Sequence, residues 1–595
     1  MTRLLRSIAA LLVVLAVPAC GGSPAVQRGA GPASDARPTS AHAVPPGWRY
    51  SADAPAVTAD HGMVVTDASL ATRVGVDVLQ KGGNAVDAAV ATAFALAVVL
   101  PSAGNLGGGG FMVAHVTGHD WALDFRETAP GAASRDMFLD AHGNPTDKSV
   151  TGHLAAGIPG SVAGLWAAHE KLGTQPWAEL LQPAIRLAEG GFPADADTVR
   201  ALTDDAARLA TFPASAALFL PGGKPPVEGT TLRNPDLART LRVIAAKGSD
   251  GFYKGETAER LVAEMQRGGG IVTARDLEGY APKWREPLVF SYRGRQIVSM
   301  PPPSSGGIAI ALIAHQLEPF RLGELGWHSA PALHLQAEAM RRAFAVRNQL
   351  LGDPDFIDVP TATLLSPAYA AGLQASITTG RATPSKDIAV PVGAAPDGRH
   401  TTHFSVADRL GNVVALTTTL NGNHGSAVTV SGAGFLLNNE MDDFTSKPGS
   451  PNQFGLIMGE ANAVAPGKRM LSSMAPTIVL DERAQPLLVT GASGGPLIIT
   501  TVFQLISNRL DYGLDVGASM RAPRFHHQHL PDQIGFEAGG LDEPTIRALA
   551  GLGHQVVPFR DFWVDGWTVA ATIERRDGRW TGAADPRLHG SAAGY

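Results

Sequence analysis

The residues of this chain best placed to do chemistry together are two threonines, Thr401 and Thr419. Alternating polar and apolar residues flank the turn-forming segment 408–412, which predicts a β-hairpin that pairs Ala407 with Val413. The same register sets Thr401 opposite Thr419 at a strand end. A threonine hydroxyl becomes a useful nucleophile only when a base takes its proton. Taken alone, the hairpin favours a Thr–Thr ladder on a solvated sheet face. Other stretches of the sequence must show whether the two threonines are catalytic instead.

Composition and charge exclude several classes of protein. The 595 residues are 45% hydrophobic, enough for a large core, and the net charge of −6 is spread without long runs of one sign. That balance argues against a nucleic-acid partner. The single cysteine, Cys20, excludes an intrachain disulfide and a cysteine metal cluster. His526, His527 and His529 lack a carboxylate or fourth ligand at a recurring spacing, so no metal site is expected.

The N-terminus has the order of an export signal. Two arginines precede a short apolar run, residues 8–17, and Cys20 follows. This order resembles a bacterial lipoprotein signal, in which residues 1–19 are removed and Cys20 carries the lipid. Residues 20–55, rich in Gly, Ser, Pro and Ala, predict a flexible tether. We expect an exported, extracytoplasmic lipoprotein that touches the membrane only through its lipid; without lipidation it would be secreted or periplasmic.

From residue 56 onward, the patterns indicate a globular body of helices and strands. Helical spacing covers residues 67–81, and residues 85–100 form a helix that is apolar on nearly every side. The four consecutive glycines 107–110 allow close approach of backbones. Trp121 to Phe125 reads as a strand. Ser161 is expected to cap the N-terminus of a further helix.

Nine motifs in order along the body carry a family resemblance: GGNAVDAA, GNLGGGGF, LDFRE, GIPGSVAG, MPPPSSGG, TTHFSVAD, NNEMDDF, LSSMAPTI and PRFHHQ. Together they resemble the gamma-glutamyltransferase (gamma-glutamyl transpeptidase) family from about residue 60 to the C-terminus. That family is similar to the N-terminal nucleophile hydrolases. The resemblance therefore implies an α+β fold, a four-layer αββα sandwich with two stacked antiparallel sheets.

The resemblance also implies that the precursor cuts itself. The bond would be His400–Thr401, giving a large subunit of residues 56–400 and a small subunit of residues 401–595. The two subunits would stay together as a heterodimer within one interleaved domain. Chain-initial Thr401 would then supply a nucleophilic hydroxyl and, in its α-amine with a pKa of roughly 8, the base.

Further site residues follow from the resemblance. Thr419 would orient Thr401, and the backbone N–H groups of Gly494 and Gly495 would stabilise the oxyanion. The family more often reads GSPGGSR where this chain has GASGGPL, so Pro496 removes one nearby N–H. The resemblance assigns the donor's α-carboxylate to Arg126, Ser472 and Ser473, and its α-ammonium to Asn421, Glu440 and Asp443.

Residues 446–459 resemble the lid loop found over the pocket in some bacterial members. Phe454 stands where relatives often have a tyrosine, and the missing hydroxyl predicts a looser gate.

The implied activity is cleavage of γ-glutamyl amides such as glutathione through a Thr401 acyl-enzyme. The glutamyl group would pass to water or to amino acid and peptide acceptors, and no cofactor is expected. One alternative is a related acylase for glutaryl-type cephalosporin side chains. Asp443 argues against it because that donor lacks the ammonium. A second alternative is a non-catalytic binding lipoprotein on the same fold, which Thr401, Thr419 and the paired glycines oppose.

Overall fold

Two seven-stranded sheets dominate the computed structural model, which describes residues 43–50, 56–388, 401–559 and 568–595. The predicted signal peptide, Cys20 and His400 lie outside the described residues, as does most of the predicted tether. In chain order the strands are β1 (Val57–Ala59), β2 (Met63–Thr66), β3 (Gly109–Val116), β4 (His119–Phe125), β5 (Phe192–Pro193), β6 (Thr231–Leu232), β7 (Lys283–Arg285), β8 (Leu288–Tyr292), β9 (Arg295–Ser299), β10 (Thr402–Ala407), β11 (Val413–Thr419), β12 (Thr477–Leu480), β13 (Pro486–Thr490), β14 (Phe525–His526), β15 (Ile534–Phe536), β16 (Val556–Pro558), β17 (Ala571–Arg576), β18 (Arg579–Ala584) and β19 (Ser591–Gly594).

The α-helices of the described ranges form the outer layers and the connections. In chain order they are α1 (Ser69–Gln80), α2 (Ala85–Val99), α3 (Ser161–Leu172), α4 (Trp177–Gly190), α5 (Ala196–Asp204), α6 (Ala206–Ala210), α7 (Pro213–Phe219), α8 (Pro235–Lys247), α9 (Asp250–Tyr253), α10 (Gly255–Gly268), α11 (Ala274–Gly279), α12 (Gly306–Leu317), α13 (Leu322–Leu325), α14 (Ala330–Leu350), α15 (Thr361–Leu364), α16 (Pro367–Ala375), α17 (Leu497–Leu510), α18 (Val516–Arg521) and α19 (Glu543–Gly551). Within the ranges described, none of these helices is both long and apolar enough to cross a membrane.

Both large sheets are antiparallel throughout. The hairpin sheet has the order β19-β2-β10-β11-β3-β4-β7, and the second sheet has the order β1-β18-β17-β13-β12-β9-β8. At one edge of each sheet, an early strand pairs with a C-terminal one: β1 with β18, and β2 with β19.

Side chains of the hairpin sheet alternate between two cores, as the two-residue period of a strand requires. In β2, Met63 and Val65 pack in the core shared with the second sheet, whereas Val64 packs with α1 and α2. Helices α12, α14 and α17 cover the second sheet in the same core. The order of layers is thus helix, sheet, sheet, helix, and the predicted four-layer αββα fold is confirmed.

Local predictions agree with these elements in most places. Helix α2 is buried on every side, as its apolar sequence predicts, and the strand predicted at Trp121 lies within β4. The predicted cap at Ser161 is wrong. Gly160 is the capping residue, and the Ser161 hydroxyl donates instead to Oδ1 of Asn105 at 2.6 Å.

The glycine run 107–110 is explained by backbone contact. A Cβ atom at Gly108 would lie 2.0 Å from the carbonyl oxygen of Thr419, and one at Gly110 would lie 2.3 Å from that of Thr417. No side chain fits at such distances. The glycines therefore allow β3 to approach β11 just where β11 ends.

The described part of the predicted tether contacts the folded body. Trp48 is buried, and its indole N–H donates to the carbonyl oxygen of Arg521 at 2.8 Å. Sequence composition around Trp48 gave no sign of this contact. The part of the tether at residues 43–50 therefore lies against the folded body.

Candidate active site

The predicted hairpin register is confirmed. Ala407 pairs with Val413, and Thr402 pairs with Thr418 at the end of the ladder. Thr401 directly precedes β10, and its hydroxyl donates to Oγ1 of Thr419 at 3.3 Å. Both side chains are buried, so the ladder does not lie on a solvated face.

The chain turns sharply after β11 to complete this contact. Asn421 has a φ of +77°, and its backbone N–H points back to donate to Oγ1 of Thr419 at 2.8 Å. Asn421 tolerates the left-handed region better than most residues. The Thr419 hydroxyl is thereby fixed by the backbone on one side and by Thr401 on the other.

Alternation along β10 separates two polar environments. His403 and Ser405 lie between the sheets, where the Ser405 hydroxyl donates to the carbonyl oxygen of Ala571 at 2.8 Å. Thr402 faces the opposite way and donates to Asp67 at 2.7 Å. Burial raises the pKa of Asp67 to about 7.

A small cavity lies at the paired ends of β10 and β11, where Thr401 and Thr419 line it. It brings together most of the predicted site residues, which are far apart in sequence; its lining is Arg126, Arg347, Thr401, Thr419, Asn421, Asp443, Phe454, Leu456, Ser472, Ser473, Met474, Gly495, Pro496 and Ile498. Two predicted site residues, Glu440 and Gly494, are not part of this lining.

The paired glycines of the predicted oxyanion site both have positive φ values. Gly494 and Gly495 have φ values of +111° and +56°, which favour glycine. Neither N–H donates a backbone hydrogen bond to another residue that the structure describes. The pair immediately precedes α17, whose N-terminus adds positive potential. Pro496 is the capping residue, a position at which a missing N–H interrupts no helical hydrogen bond.

Arg126 is already paired within the protein. Its guanidinium donates to Glu440 and to Asp443, each at 2.5 Å, and its Nε–H donates to the carbonyl oxygen of Met470 at 3.3 Å. Burial opposes the charge on Arg126, but these carboxylates raise its pKa above the ordinary value. Burial also raises the pKa of both Glu440 and Asp443. The residues predicted for opposite ends of a donor thus form one ion-pair cluster.

Sequence analysis missed Arg347, a buried arginine of α14. Its Nη2 donates to the hydroxyl of Ser473 at 3.3 Å across a separation of 126 residues. No spacing in the sequence connects these two residues. A charged residue inside an otherwise buried helix is the signal that could have drawn attention to it.

The comparisons with known proteins decide the family. The gamma-glutamyltranspeptidase family matches residues 71–595. The glutathione hydrolase proenzyme of Escherichia coli K12 is 47% identical over 545 residues, covering 91% of this chain and 93% of the relative. The chain belongs to the gamma-glutamyltranspeptidase family.

Solved structures agree with this membership. The gamma-glutamyltranspeptidase of Helicobacter pylori is 44% identical, with a TM-score of 0.54, over 54% of this chain and 93% of that chain. A cephalosporin acylase from Bacillus halodurans superposes with a TM-score of 0.80 at 26% identity, covering 93% of this chain and 99% of that chain. The solved structures similar to this chain therefore include a member of the predicted family and a cephalosporin acylase.

Two residues of the predicted lid, Phe454 and Leu456, line the cavity. The Phe454 ring stands against Gly495, where an added Cβ would lie 2.6 Å from Cδ1 of the ring. Asn452 holds the lid turn, since its Oδ1 accepts from the backbone N–H groups of Phe454 and Leu456 at 3.0 and 3.2 Å. Its Nδ2 donates to Asp443 at 3.2 Å. The lid thus touches the ion-pair cluster directly.

Away from the cavity, His334, Glu338 and His554 lie close enough to resemble a metal site. Hydrogen bonds account for the cluster without an ion. His334 contacts His554 at 2.7 Å and the carbonyl oxygen of Thr378 at 2.8 Å, while Glu338 pairs with Arg341 and Arg342. The neighbouring guanidinium groups repel a cation, so this cluster is better explained as a structural network.

Proposed function

We propose that the protein is a self-processing gamma-glutamyltransferase and glutathione hydrolase with Thr401 as its nucleophile. The observation that carries the proposal is the contact between the Thr401 and Thr419 hydroxyls at the mouth of a charged cavity. The glutathione hydrolase proenzyme of E. coli, similar over nine-tenths of the chain, supports the same substrate class.

Maturation would use the same hydroxyl. Oγ1 of Thr401 attacks the carbonyl carbon of His400, the peptide C–N bond breaks, and the nitrogen leaves as the free α-amine of Thr401. The resulting ester joins His400 to Oγ1 until water hydrolyses it to a carboxylate and the free hydroxyl. Cleavage therefore creates the nucleophile and its base together.

In turnover the Thr401 α-amine would take the hydroxyl proton as Oγ1 attacks the γ-carbonyl carbon of the donor. The N–H groups of Gly494 and Gly495 would stabilise the oxyanion, since they have no backbone acceptor among the residues described. The proton passes to the leaving amine, and the acyl group stays on Oγ1. Water or an acceptor amine then takes the acyl group and restores Thr401.

The donor end of the cavity suits a zwitterion. Asp443, Glu440 and Asn421 would surround the α-ammonium, while Arg126, Ser472 and Ser473 would face the α-carboxylate. Ligand binding would redistribute the ion pairs that now join Arg126 to the two carboxylates.

A glutaryl or cephalosporin acylase is the nearest rival, and the Bacillus halodurans structure gives it a specific basis. A glutaryl donor has no ammonium. Two buried carboxylates at the donor end, Glu440 and Asp443, would then lack a cationic ligand. The γ-glutamyl donor is therefore the better match to the charge of the site.

We also propose that the chain is exported and that Cys20 carries a lipid. The support is the order of the N-terminal sequence, a basic start, a short apolar run and then Cys20. Replacing Cys20 with Ser should release the protein from the membrane fraction without altering its activity; continued membrane association would contradict the lipid anchor.

Denaturing gels and one chromogenic donor test the mechanism. The wild-type chain should split at His400–Thr401 and release the aniline from a γ-glutamyl anilide, faster with a dipeptide acceptor. Thr401→Ala should remain one uncut and inactive chain, whereas Thr401→Ser keeps a hydroxyl and should still be cut. Faster turnover of a glutaryl anilide would favour the acylase, and activity in an uncut wild-type chain would overturn the mechanism.

A further inference from the structure

Asn105 is a buried side chain of the motif GNLGGGGF, and the proposed chemistry gives it no direct part. It lies in the connection between α2 and β3, where its exposed fraction is 7%. A buried amide normally has its donors and its acceptor satisfied. The partners of Asn105 therefore show which parts of the chain its amide holds together.

The oxygen side of the Asn105 amide is fixed by the scaffold. Its Oδ1 accepts from the backbone N–H of Gly108 at 3.0 Å and from the Ser161 hydroxyl at 2.6 Å. Gly108 directly precedes β3, and Ser161 is the first residue of α3. The start of a strand and the start of a helix thus set the orientation of the amide.

The nitrogen side of the amide reaches the hairpin that carries Thr401. Nδ2 of Asn105 donates to the backbone carbonyl oxygen of Thr419 at 2.9 Å, across a separation of 314 residues. It also donates to the carbonyl oxygen of Ala103 at 2.9 Å and to Oγ1 of Thr418 at 3.0 Å. The amide NH₂ group has two N–H bonds, so these acceptors share them. Asn105 therefore ties the end of β11 to the scaffold.

Gly108 makes this contact possible. A Cβ atom there would lie 2.0 Å from the carbonyl oxygen of Thr419 and 2.7 Å from Oδ1 of Asn105. A side chain at this position would fill the space in which the amide meets the carbonyl group. The glycine run thus serves the contact between Asn105 and Thr419 as well as the approach of β3 to β11.

The Thr419 carbonyl group lies one peptide away from the group that fixes the Thr419 hydroxyl. It belongs to the peptide between Thr419 and Leu420, and the next peptide carries the N–H of Asn421 that donates to Oγ1 of Thr419 at 2.8 Å. A rotation of the first peptide would carry this N–H away from the hydroxyl. The same hydroxyl accepts from Thr401 at 3.3 Å, so the nucleophile would lose its alignment as well.

We infer that Asn105 is a positioning residue for the nucleophile. By holding the carbonyl group of Thr419, it keeps the Thr419 hydroxyl where Thr401 can donate to it. Maturation and turnover both start from the Thr401 hydroxyl, so both depend on this contact. The inference rests on the proposed function, because it gives Asn105 a part in the same reaction.

Asn105→Asp removes the donor and keeps the shape of the side chain. Its carboxylate can still accept from Gly108 and Ser161 but cannot donate to the Thr419 carbonyl. We expect kcat for a γ-glutamyl anilide, measured per cleaved chain, to fall roughly 10- to 100-fold, with KM changed by less than about threefold. Cleavage of the precursor at His400–Thr401 should slow by a similar factor. An unchanged kcat would overturn the inference.

A double-mutant cycle separates positioning from general destabilisation. In a Thr419→Val background no hydroxyl remains to be positioned, so adding Asn105→Asp should change kcat by less than about twofold. A merely structural role would produce the same loss of kcat in both backgrounds, and that result would also overturn the inference.

Thr418→Val is the matched control. It removes one acceptor of the same amide but leaves the carbonyl oxygens of Ala103 and Thr419 in place. Its kcat should therefore stay within about threefold of the wild type, and a loss as large as that of Asn105→Asp would contradict the assignment. If Asn105→Asp does not fold, as judged by circular dichroism, Asn105→Ala carries the same cycle, because it buries no charge. Wild-type protein without any activity on a γ-glutamyl anilide would instead overturn the proposed function.

Discussion

Thr401 and Thr419 form the smallest unit on which the proposed chemistry depends. Their hydroxyls touch at 3.3 Å, and the backbone N–H of Asn421 fixes the second one. A nucleophile displaced by about 1 Å can lose on the order of 10²-fold in rate. The orientation of Thr401 is therefore as important as its chemical type.

Thr419→Val keeps the shape of the side chain and removes only the hydroxyl. It leaves Thr401 without its acceptor and Asn421 with an unsatisfied N–H. We expect kcat to fall on the order of 10²-fold with a much smaller change in KM, because the charged side chains assigned to the donor are unchanged. Steady-state kinetics with a γ-glutamyl anilide measures both constants. Thr419→Ser should retain most of the activity, and equal rates for the valine and serine variants would exclude the orienting role.

Asp67 makes stability depend on pH. Burial raises the pKa of its carboxyl from 3.8 to about 7, so the folded protein binds this proton more readily than the unfolded chain. At low pH this carboxyl adds on the order of 4 kcal/mol to the free energy of unfolding. That contribution is lost as the pH rises from about 4 to about 7.

Asp67→Asn removes that dependence. The thermal unfolding temperature of the wild type should fall more between pH 5 and pH 8 than that of Asp67→Asn. Other titrating groups contribute equally to both proteins, so the difference isolates Asp67. Parallel curves across this range would show that the carboxyl titrates normally.

Among the structural elements, the predicted lid is the one for which the sequence predicts mobility. Phe454 lacks the hydroxyl of a tyrosine, and this predicts a looser gate. The structure adds a second determinant, Asn452, which caps the lid turn and also contacts Asp443. Arg135 adds an ion pair to Glu460 at 2.8 Å near the end of the lid. The prediction of a looser gate, based on Phe454, stays a prediction.

Asn452→Ala should loosen the lid turn because two backbone N–H groups lose their acceptor. We expect hydrogen exchange at Phe454 and Leu456 to become roughly 3- to 10-fold faster, the cost of about one net hydrogen bond. Asn452→Asp is the control: it keeps the acceptor but places a carboxylate beside Asp443. Faster exchange in the aspartate variant alone would identify the contact to Asp443 as the main restraint.

For the whole molecule, the N-terminal segment joins the two predicted subunits. Trp48 belongs to the predicted tether, and its indole contacts the carbonyl oxygen of Arg521, which would lie in the small subunit after cleavage. Strands β1 and β19 join the N- and C-terminal parts in a similar way. Self-cleavage therefore need not separate the fragments.

Trp48→Ala should destabilise the mature heterodimer by about 3–5 kcal/mol, the usual cost of removing a buried aromatic side chain. Denaturant titration of the cleaved protein measures this loss. Arg49→Ala is the neighbouring control, since Arg49 is exposed and should change stability little. Equal stability of the two variants would mean that the segment packs without contributing to the fold.

The sequence by itself determined the hairpin register, the approximate bounds of a few elements and the residue types of the site. These follow from local rules: a period of two along strands, turn residues at 408–412 and apolar runs such as α2. Motifs in order along the chain added the family and the four-layer fold. All of these signals are carried by neighbours in sequence.

Only the tertiary structure determines which charged side chains form ion pairs at the site. Arg126, Glu440 and Asp443 are pairwise close in space because the sheet end and a later loop meet, and no spacing rule predicts which ion pairs form there. Arg347 reaches Ser473 across the core, and Trp48 reaches Arg521 across most of the chain. Long-range packing sets these contacts, because each joins residues that lie far apart in the sequence.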